Sequence, residues 1–173
     1  MRLQLSLALI SILSLAACKT LNLPAAAASA TLEPRSGSNV KGTVTFDQFP
    51  AGVRAHVEIT GFVPGSEHGF HVHEKGDCSS GDASSAGGHF NPTNLAHGKV
   101  TEKIHHAGDL PSLTADASGK VSTDIKLSGV TLGTGPTSFV GRSVVVHANA
   151  DDFTTQPSGN SGARIACGVI VGK

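Results

Sequence analysis

The feature that most restricts the fold of this chain is the alternation of apolar and polar side chains in its middle region. Side chains two residues apart in an extended strand share one face of a sheet. Two consecutive runs follow this period and therefore predict two half-buried strands. Their apolar members are Val40, Val44 and Phe46 in the first run and Val53, Ala55, Val57 and Ile59 in the second.

Further runs of strand-forming residues extend the same plan to the C-terminus. They cover Val121 to Leu127, Phe139 to His147 and Ile165 to Val171. Pro-Ala-Gly at 50–52 and Val-Pro-Gly at 63–65 are typical turn sequences between such strands. No segment carries an amphipathic helical period of useful length, so the sequence predicts an all-β sandwich or barrel.

The N-terminus has the pattern of an export signal. Arg2 precedes an apolar run from Leu3 to Leu15, which ends in Leu15-Ala16-Ala17-Cys18. A short apolar core with one positive charge and a small-residue exit is typical of a secretory signal, whereas a membrane-spanning helix needs about 20 residues. The last four residues resemble a bacterial lipoprotein signal, which predicts cleavage after residue 17 and lipid on Cys18. The alternative is a cysteine placed there by chance.

The cysteine count supports export. The chain has three cysteines, Cys18, Cys78 and Cys167, and an odd thiol in an exported protein needs an explanation. Lipid on Cys18 leaves one pair, and an oxidising compartment favours a disulfide between Cys78 and Cys167.

Composition divides the rest of the chain into a tether and one domain. Residues 18–38 contain Ala, Ser and Pro without a sustained apolar period, which predicts a flexible tether. Residues 39–173 have the length of one ordinary domain. Basic and acidic residues balance at 13 each, and no basic stripe with interleaved aromatic residues indicates nucleic-acid binding.

The histidines are the strongest functional signal. His71 and His73 are two residues apart in an apolar stretch, so a strand would direct both imidazoles to one face. The stretch from 76 to 109 is loop-like, and a loop of this length without secondary structure is uncommon unless it is functional or tied down. Imidazole and carboxylate are ligands for copper and zinc. The loop and a later strand carry further side chains of these types: His89, His97, His105, His106, Asp109 and His147.

From Val40 to the C-terminus the chain resembles the copper/zinc superoxide dismutases. The matching blocks occur in the family's order. They are GFHVH at 69–73, GHFNP at 88–92, AHG at 96–98, HAGDL at 106–110, GRSVVVH at 141–147 followed by ADD at 150–152, and GNSGARIACGVI at 159–170. The resemblance implies a Greek-key β-barrel of about eight antiparallel strands with long metal-binding and guiding loops.

The resemblance also implies the metal ligands and the reaction. Copper would be held by His71, His73, His89 and His147, and zinc by His89, His97, His106 and Asp109. His89 would therefore bridge one copper and one zinc ion per subunit, and Asp151 would orient a histidine on each side. Copper would cycle between two oxidation states and dismutate superoxide to dioxygen and hydrogen peroxide.

Two cationic residues are candidates for steering the substrate. Arg164 matches the substrate-guiding arginine, with His89 as the second catalytic residue; a generic surface arginine is the alternative. Lys75 is a weaker candidate for steering, with a solvated lysine as the alternative. For His56, His68 and His105, solvated side chains are the preferred interpretation.

The chain departs from the animal enzymes in two places. Cys78 follows the copper histidines closely, as in the bacterial form, and residues 152–159 carry few charges. These departures leave the association open, because bacterial and animal forms pair differently and some are monomers; a homodimer is one outcome. The expected location is the periplasm, with attachment to the bacterial outer membrane only through lipid on Cys18.

Two rival functions remain from the sequence. One is a noncatalytic copper-binding or buffering lipoprotein of the same fold, which would not need Arg164, a bridging His89 or a complete zinc set. The other is a structural β-sandwich on the cell envelope, which would need none of these residues. All of them are present, so the sequence favours the enzyme.

Overall fold

A computed structural model describes residues 27–173 of the chain. These residues form ten β-strands and one short 3₁₀ helix, Ser84–Ala86. The strands are β1 (Ala27–Pro34), β2 (Lys41–Phe49), β3 (Gly52–Thr60), β4 (Glu67–His68), β5 (Phe70–His73), β6 (Leu113–Thr114), β7 (Lys120–Ser128), β8 (Ser143–His147), β9 (Arg164–Val169) and β10 (Val171–Gly172). The expected all-β fold is confirmed.

All strand pairs are antiparallel, and the order in the large sheet is β5-β8-β9-β1-β2-β3-β7, with β10 pairing with β1. Strands distant in sequence are neighbours at β5-β8 and at β9-β1. The curled sheet encloses one core, and the alternation seen in β2 and β3 is the alternation of burial: Val44, Phe46, Val53, Ala55 and Val57 are fully buried.

The first strand corrects the predicted tether. Residues 27–34 form β1, which pairs with β2 through 27–32 and with β9 through 33–34. Ala28, Ala30 and Leu32 are buried, while Glu33 is exposed. The period of two was present in the sequence, but alanine buries little surface and has a low strand propensity, so the composition suggested a linker. Residues 27–34, predicted to belong to the tether, are therefore part of the folded domain. The predicted signal peptide and Cys18 lie outside the described residues.

Two other predicted runs are divided by turns. The run from Phe139 to His147 becomes a strand only at Ser143, and the run from Ile165 to Val171 is split into β9 and β10. Phe139 is nevertheless fully buried, and its ring meets those of Phe46 and Phe90 edge to face at 6.3 and 6.1 Å. This aromatic group ties the loop after β5 to the barrel core.

The long loop between β5 and β6 is fixed to the sheet in two ways. Its backbone pairs beside β5: Val72 N–H donates to Gly108 O at 2.8 Å, and Phe90 N–H donates to Val72 O at 2.8 Å. Cys78 in this loop is joined to Cys167 on β9 by a disulfide, with Cα atoms 5.8 Å apart. The predicted disulfide is confirmed. Within residues 27–173, no helix has the length and apolar character needed to cross a membrane.

Candidate metal centre

Seven buried or nearly buried residues form two groups of predicted ligands that share one member. The first group is His71, His73, His89 and His147, and the second is His89, His97, His106 and Asp109. In each group, one ligand atom from each residue lies within 4.8 Å of the others. The barrel thus assembles β5, β8 and two separate parts of the long loop around His89.

Three histidines of the first group have one ring nitrogen occupied by a hydrogen bond. His71 Nε2 lies 2.7 Å from Asp151 Oδ2, His73 Nδ1 lies 2.9 Å from Gly87 O, and His147 Nδ1 lies 3.2 Å from Gly162 O. A carbonyl or carboxylate oxygen accepts, so these nitrogens carry the protons. The lone pairs left over are those of His71 Nδ1, His73 Nε2 and His147 Nε2.

None of these three nitrogens carries a proton, so none can donate a hydrogen bond to another. His73 Nε2 and His147 Nε2 are 3.3 Å apart, and His71 Nδ1 is buried without a hydrogen-bond partner. Buried polar atoms are nearly always paired, and two facing lone pairs repel each other. A cation between them removes both costs, so the first group fits a metal ion with nitrogen ligands.

The second group converges on one carboxylate oxygen. Asp109 Oδ1 lies 2.9 Å from His89 Nδ1, 3.0 Å from His97 Nδ1 and 3.2 Å from His106 Nδ1. A tetrahedral ion with bonds of about 2.0 Å separates its ligand atoms by roughly 3.3 Å. The second group therefore has the dimensions and the donor set of a zinc site with three histidines and one aspartate.

His89 is directed toward both groups at once. Its Nδ1 faces Asp109, whereas its Nε2 is buried without a hydrogen-bond partner, and its ring lies 3.9 Å from that of His71. An imidazole places two nitrogen donors on opposite sides of one rigid ring. Among the seven ligand residues, His89 is therefore the one able to contact both ions.

Asp151 links the two groups by accepting a hydrogen bond from one histidine of each. Its Oδ2 accepts from His71 Nε2, and its Oδ1 accepts from His97 Nε2 at 3.0 Å. Gly159 makes this approach feasible, since a Cβ there would collide with Asp151 Oδ1. Carboxylates that hold the outer nitrogen of a metal-binding histidine fix its tautomer and orientation.

Burial sets the protonation of the first group. It lowers the pKa of His89 to about 4 and that of His147 to about 3, in each case with a further lowering from the neighbouring His71. The pKa of His73 also falls well below its usual range because the ring is buried beside His89 and His147. These imidazoles are neutral at pH 7, which is the form that binds metals.

His97 shows the opposite balance. Burial disfavours its cation, but hydrogen bonds and charge from Asp109 and Asp151 outweigh this and raise its pKa to about 9. Desolvation opposes ionisation of Asp109, yet its three histidine partners hold the pKa of this carboxyl far below its ordinary value. The second group thus stabilises a positive charge, which a divalent cation supplies.

A solvent cavity of about 350 Å³ opens onto both groups. His73, His89, His106 and His147 line it together with Arg164. The guanidinium is half-buried and donates to Ala83 O at 2.6 Å and Gly87 O at 2.7 Å. Burial lowers the pKa of Arg164, but arginine remains a cation at neutral pH. A small anion entering this cavity meets a fixed positive charge.

The structure corrects the interpretation of His68 as a solvated side chain. His68 is buried: its Nδ1 donates to the backbone oxygen of His147 at 2.8 Å, and its ring lies 4.6 Å from that of Phe62. Adjacency to the block 69–73 was the one available signal in the sequence. His56 is exposed, in agreement with the prediction, and His105 is half-buried with its Nδ1 donating to His106 O.

Gly87 lies between a predicted copper ligand and Arg164, and no signal in the sequence pointed to it. Its backbone oxygen accepts from both His73 and Arg164 and so connects a metal ligand to the arginine. Lys75, the weaker steering candidate, is exposed and does not line the cavity.

The family model described as copper/zinc superoxide dismutase (SODC) matches residues 40–170. The chain belongs to the copper/zinc superoxide dismutase family. The match spans both ligand groups, Arg164 and the disulfide. It confirms the resemblance drawn from the sequence blocks and the prediction of a superoxide dismutase-type oxidoreductase.

Related proteins of known name match the sequence of this chain over most of the domain. An extracellular [Cu-Zn] superoxide dismutase of Brugia pahangi is 42% identical over 84% of this chain and 75% of its own length. A [Cu-Zn] superoxide dismutase of Deinococcus radiodurans is 40% identical over 91% of this chain and 90% of its own length. The superoxide dismutase-like protein YojM of Bacillus subtilis is 43% identical over 70% of this chain and 64% of its own length.

Solved structures show the same fold. A crystal structure of a SOD-like protein from Bacillus subtilis superposes with a TM-score of 0.74 at 39% identity, over 81% of this chain and 95% of that one. The crystal structure of the clock protein EA4 gives a TM-score of 0.77 at 38% identity, over 86% and 96% of the two chains. The Greek-key barrel expected from the sequence is confirmed.

Proposed function

We propose that this protein dismutates superoxide in the cell envelope, with copper in the first ligand group and zinc in the second. The observation that carries the proposal is His89, whose two buried nitrogens face the two groups. Four nitrogen ligands suit copper, and three histidines with one aspartate suit zinc. Family membership supports both metals.

Copper held by His71, His73, His89 and His147 would supply one-electron redox chemistry, by which one superoxide would be oxidised to dioxygen and a second, with two protons, reduced to hydrogen peroxide. The chain's residues supply access, orientation and protons. Arg164 attracts the anion into the cavity and orients it there. His89 Nε2 is placed to hold a proton beside the cavity while Nδ1 stays directed at the second group. Asp151 keeps His71 and His97 in their tautomers throughout.

The runner-up is a noncatalytic copper-binding protein of the same fold. The Bacillus subtilis relative supports keeping this alternative, because its name calls it dismutase-like. Copper buffering needs neither a cation in the cavity wall nor a complete second group. Both are present here, and they favour catalysis.

Metal analysis combined with a superoxide-decay assay on the purified protein tests the proposal. Wild type should contain one copper and one zinc ion per chain and remove superoxide rapidly. His89→Ala should retain zinc poorly and lose most of the activity, because both groups lose a ligand. His56→Ala, which removes an exposed histidine, should match wild type. Full copper loading without superoxide decay would establish the noncatalytic alternative.

The location is the second part of the proposal. The disulfide and relatives named as extracellular enzymes fit an exported protein. The signal-like sequence 1–17, followed directly by Cys18, supports attachment to the bacterial outer membrane through lipid on that residue. Mass spectrometry of the N-terminal peptide should find acyl groups on Cys18, and Cys18→Ser should give a soluble or unprocessed form. An unmodified Cys18 in a bacterial host would refute the anchor.

A further inference from the structure

One side-chain amide holds the backbone of a ligand residue at two points. His97 N–H donates to Gln156 Oε1 at 2.9 Å, and Gln156 Nε2 donates to His97 O at 2.9 Å. The two residues are 59 positions apart in the sequence. A primary amide that pairs with both polar groups of one residue fixes its position and its rotation together, as the two bonds of a strand pair do.

These two bonds, called the clamp below, complete the immobilisation of His97. Its buried ring is held by Asp109 at Nδ1 and by Asp151 at Nε2. The segment 151–156 therefore supplies three hydrogen-bonding contacts to His97, one to its ring from Asp151 and two to its backbone from Gln156. Asp109 supplies the other bond to the ring. The segment itself is braced, since Asp152 Oδ1 accepts from the N–H groups of Thr154 and Thr155 at 2.9 and 2.8 Å.

The same segment leads directly into the cavity wall. Pro157 and Ser158 follow Gln156 in the chain and line the cavity that Arg164 also lines. Asp152 is the one charged residue among 152–159, and the contact of this stretch with His97 is made by the neutral amide of Gln156. Such an attachment responds little to salt.

We infer that Gln156 is a positioning residue that couples the zinc side of the centre to the cavity wall at Pro157 and Ser158 by clamping the backbone of His97. The inference rests on the proposed role of His97 as a zinc ligand. It predicts that loss of the clamp speeds zinc release without removing any ligand.

Three variants in the metal-loaded protein test the inference. Gln156→Ala removes both hydrogen bonds. Gln156→Glu keeps the acceptor for His97 N–H but places an oxygen that cannot donate against His97 O. Thr154→Ala is the matched control, since its exposed side chain lies in the same segment and bonds to Asp152 and not to His97.

Three measurements besides activity report on the clamp: hydrogen exchange, zinc release and the spectrum of cobalt(II). Hydrogen exchange at the His97 amide, localised by mass spectrometry, should be roughly tenfold faster in Gln156→Ala, the size expected when one or two ordinary hydrogen bonds are lost. Zinc transfer to a chromogenic chelator should accelerate by a similar factor in Gln156→Ala and Gln156→Glu. Cobalt(II) in place of zinc should show shifted d–d bands in both variants, whereas Thr154→Ala should match wild type throughout.

The outcomes separate the inference from the proposed function. If zinc release and cobalt spectra are the same in all four proteins, Gln156 is an ordinary surface residue and the inference is wrong. The inference is also wrong if Thr154→Ala releases zinc as fast as Gln156→Ala. If wild type itself retains no zinc, the proposed function fails and the inference fails with it.

Discussion

At the scale of single residues, the proposed role of Arg164 in guiding superoxide depends on where the guanidinium is held. Two backbone oxygens of the disulfide-bearing loop, those of Ala83 and Gly87, hold the guanidinium at the cavity wall. A unit charge about 6 Å from superoxide, at an effective dielectric of about 20 to 40, is worth roughly 1 to 3 kcal/mol. Water in the cavity reduces this figure, so the expected effect on the rate is about tenfold.

Arg164→Ala should therefore slow dismutation about tenfold and leave copper and zinc contents unchanged, since no ligand is lost. Arg164→Glu should slow it further. Added salt should reduce the rate of wild type more than that of the glutamate variant, because screening removes attraction in one and repulsion in the other. Pulse radiolysis of fully metallated proteins measures these rates. Equal rates and equal salt slopes would show that Arg164 takes no part in guidance.

His68 gives a second residue-scale prediction. Its Nδ1–H pairs with the buried oxygen of His147, so His68→Leu leaves that oxygen without a partner, at a cost of about 1 to 3 kcal/mol in the free energy of unfolding. Asparagine carries an amide nitrogen near the place of Nδ1, so His68→Asn should recover most of the loss. Urea unfolding measures both, and copper(II) EPR should report a changed first ligand group in His68→Leu. Equal stability of the two variants would contradict a role for this hydrogen bond.

At the scale of elements, β1 shows the limit of composition as a guide. The alternation of Ala28, Ala30 and Leu32 is visible in the local sequence. These residues form a strand, however, because β1 pairs with β2 on one side and with β9 on the other. Unpaired edges of a sheet lose backbone hydrogen bonds. The family match begins at residue 40, after this strand.

A chain that starts at Val40 should therefore be severely destabilised, by more than about 3 kcal/mol, from the lost pairing and the exposed core. A chain that starts at Ala27 should unfold at the same temperature as one that starts at Cys18. Thermal unfolding followed by circular dichroism makes the comparison. A cooperative transition at the same midpoint for the Val40 chain would show that β1 is dispensable.

At the scale of the whole molecule, the disulfide closes a loop that contains three of the ten strands, β6, β7 and β8, and five of the seven predicted metal ligands. Its cysteines are 89 positions apart, and in the chain-entropy model such a loop contributes roughly 4 to 5 kcal/mol to the free energy of unfolding. The loop next to Cys78 also carries the oxygens that hold Arg164. The stability of the fold and the proposed guidance of the substrate by Arg164 therefore both depend on this covalent bond.

Replacing both cysteines, Cys78→Ala with Cys167→Ala, should lower the free energy of unfolding by about 2 to 5 kcal/mol and slow dismutation at equal metal content. Urea unfolding and superoxide decay measure the two effects. Thiol reagents should leave the native protein's Cys78 and Cys167 unmodified. Unchanged rates with lowered stability would separate the disulfide from the positioning of Arg164.

The sequence alone determined the fold class, and its resemblance to the family named the candidate metal ligands. Alternation is a local property, so β2, β3 and β7 could be predicted from it, and the ordered blocks from His71 to His147 named every member of the two ligand groups. The same period was present in β1, but alanine obscured it.

Tertiary structure alone decided which nitrogen of each histidine is free, that His68 is buried behind His147, and that Gln156 reaches His97. These features depend on partners tens of residues away, and a local period carries no information about which distant strand or loop a side chain will meet. Hydrogen bonds to Gly87, Gly162 and Asp151 exist only after the barrel closes. The physical reason is that pairing partners are selected by packing of the whole core, whereas alternation is imposed by each strand's own pleat.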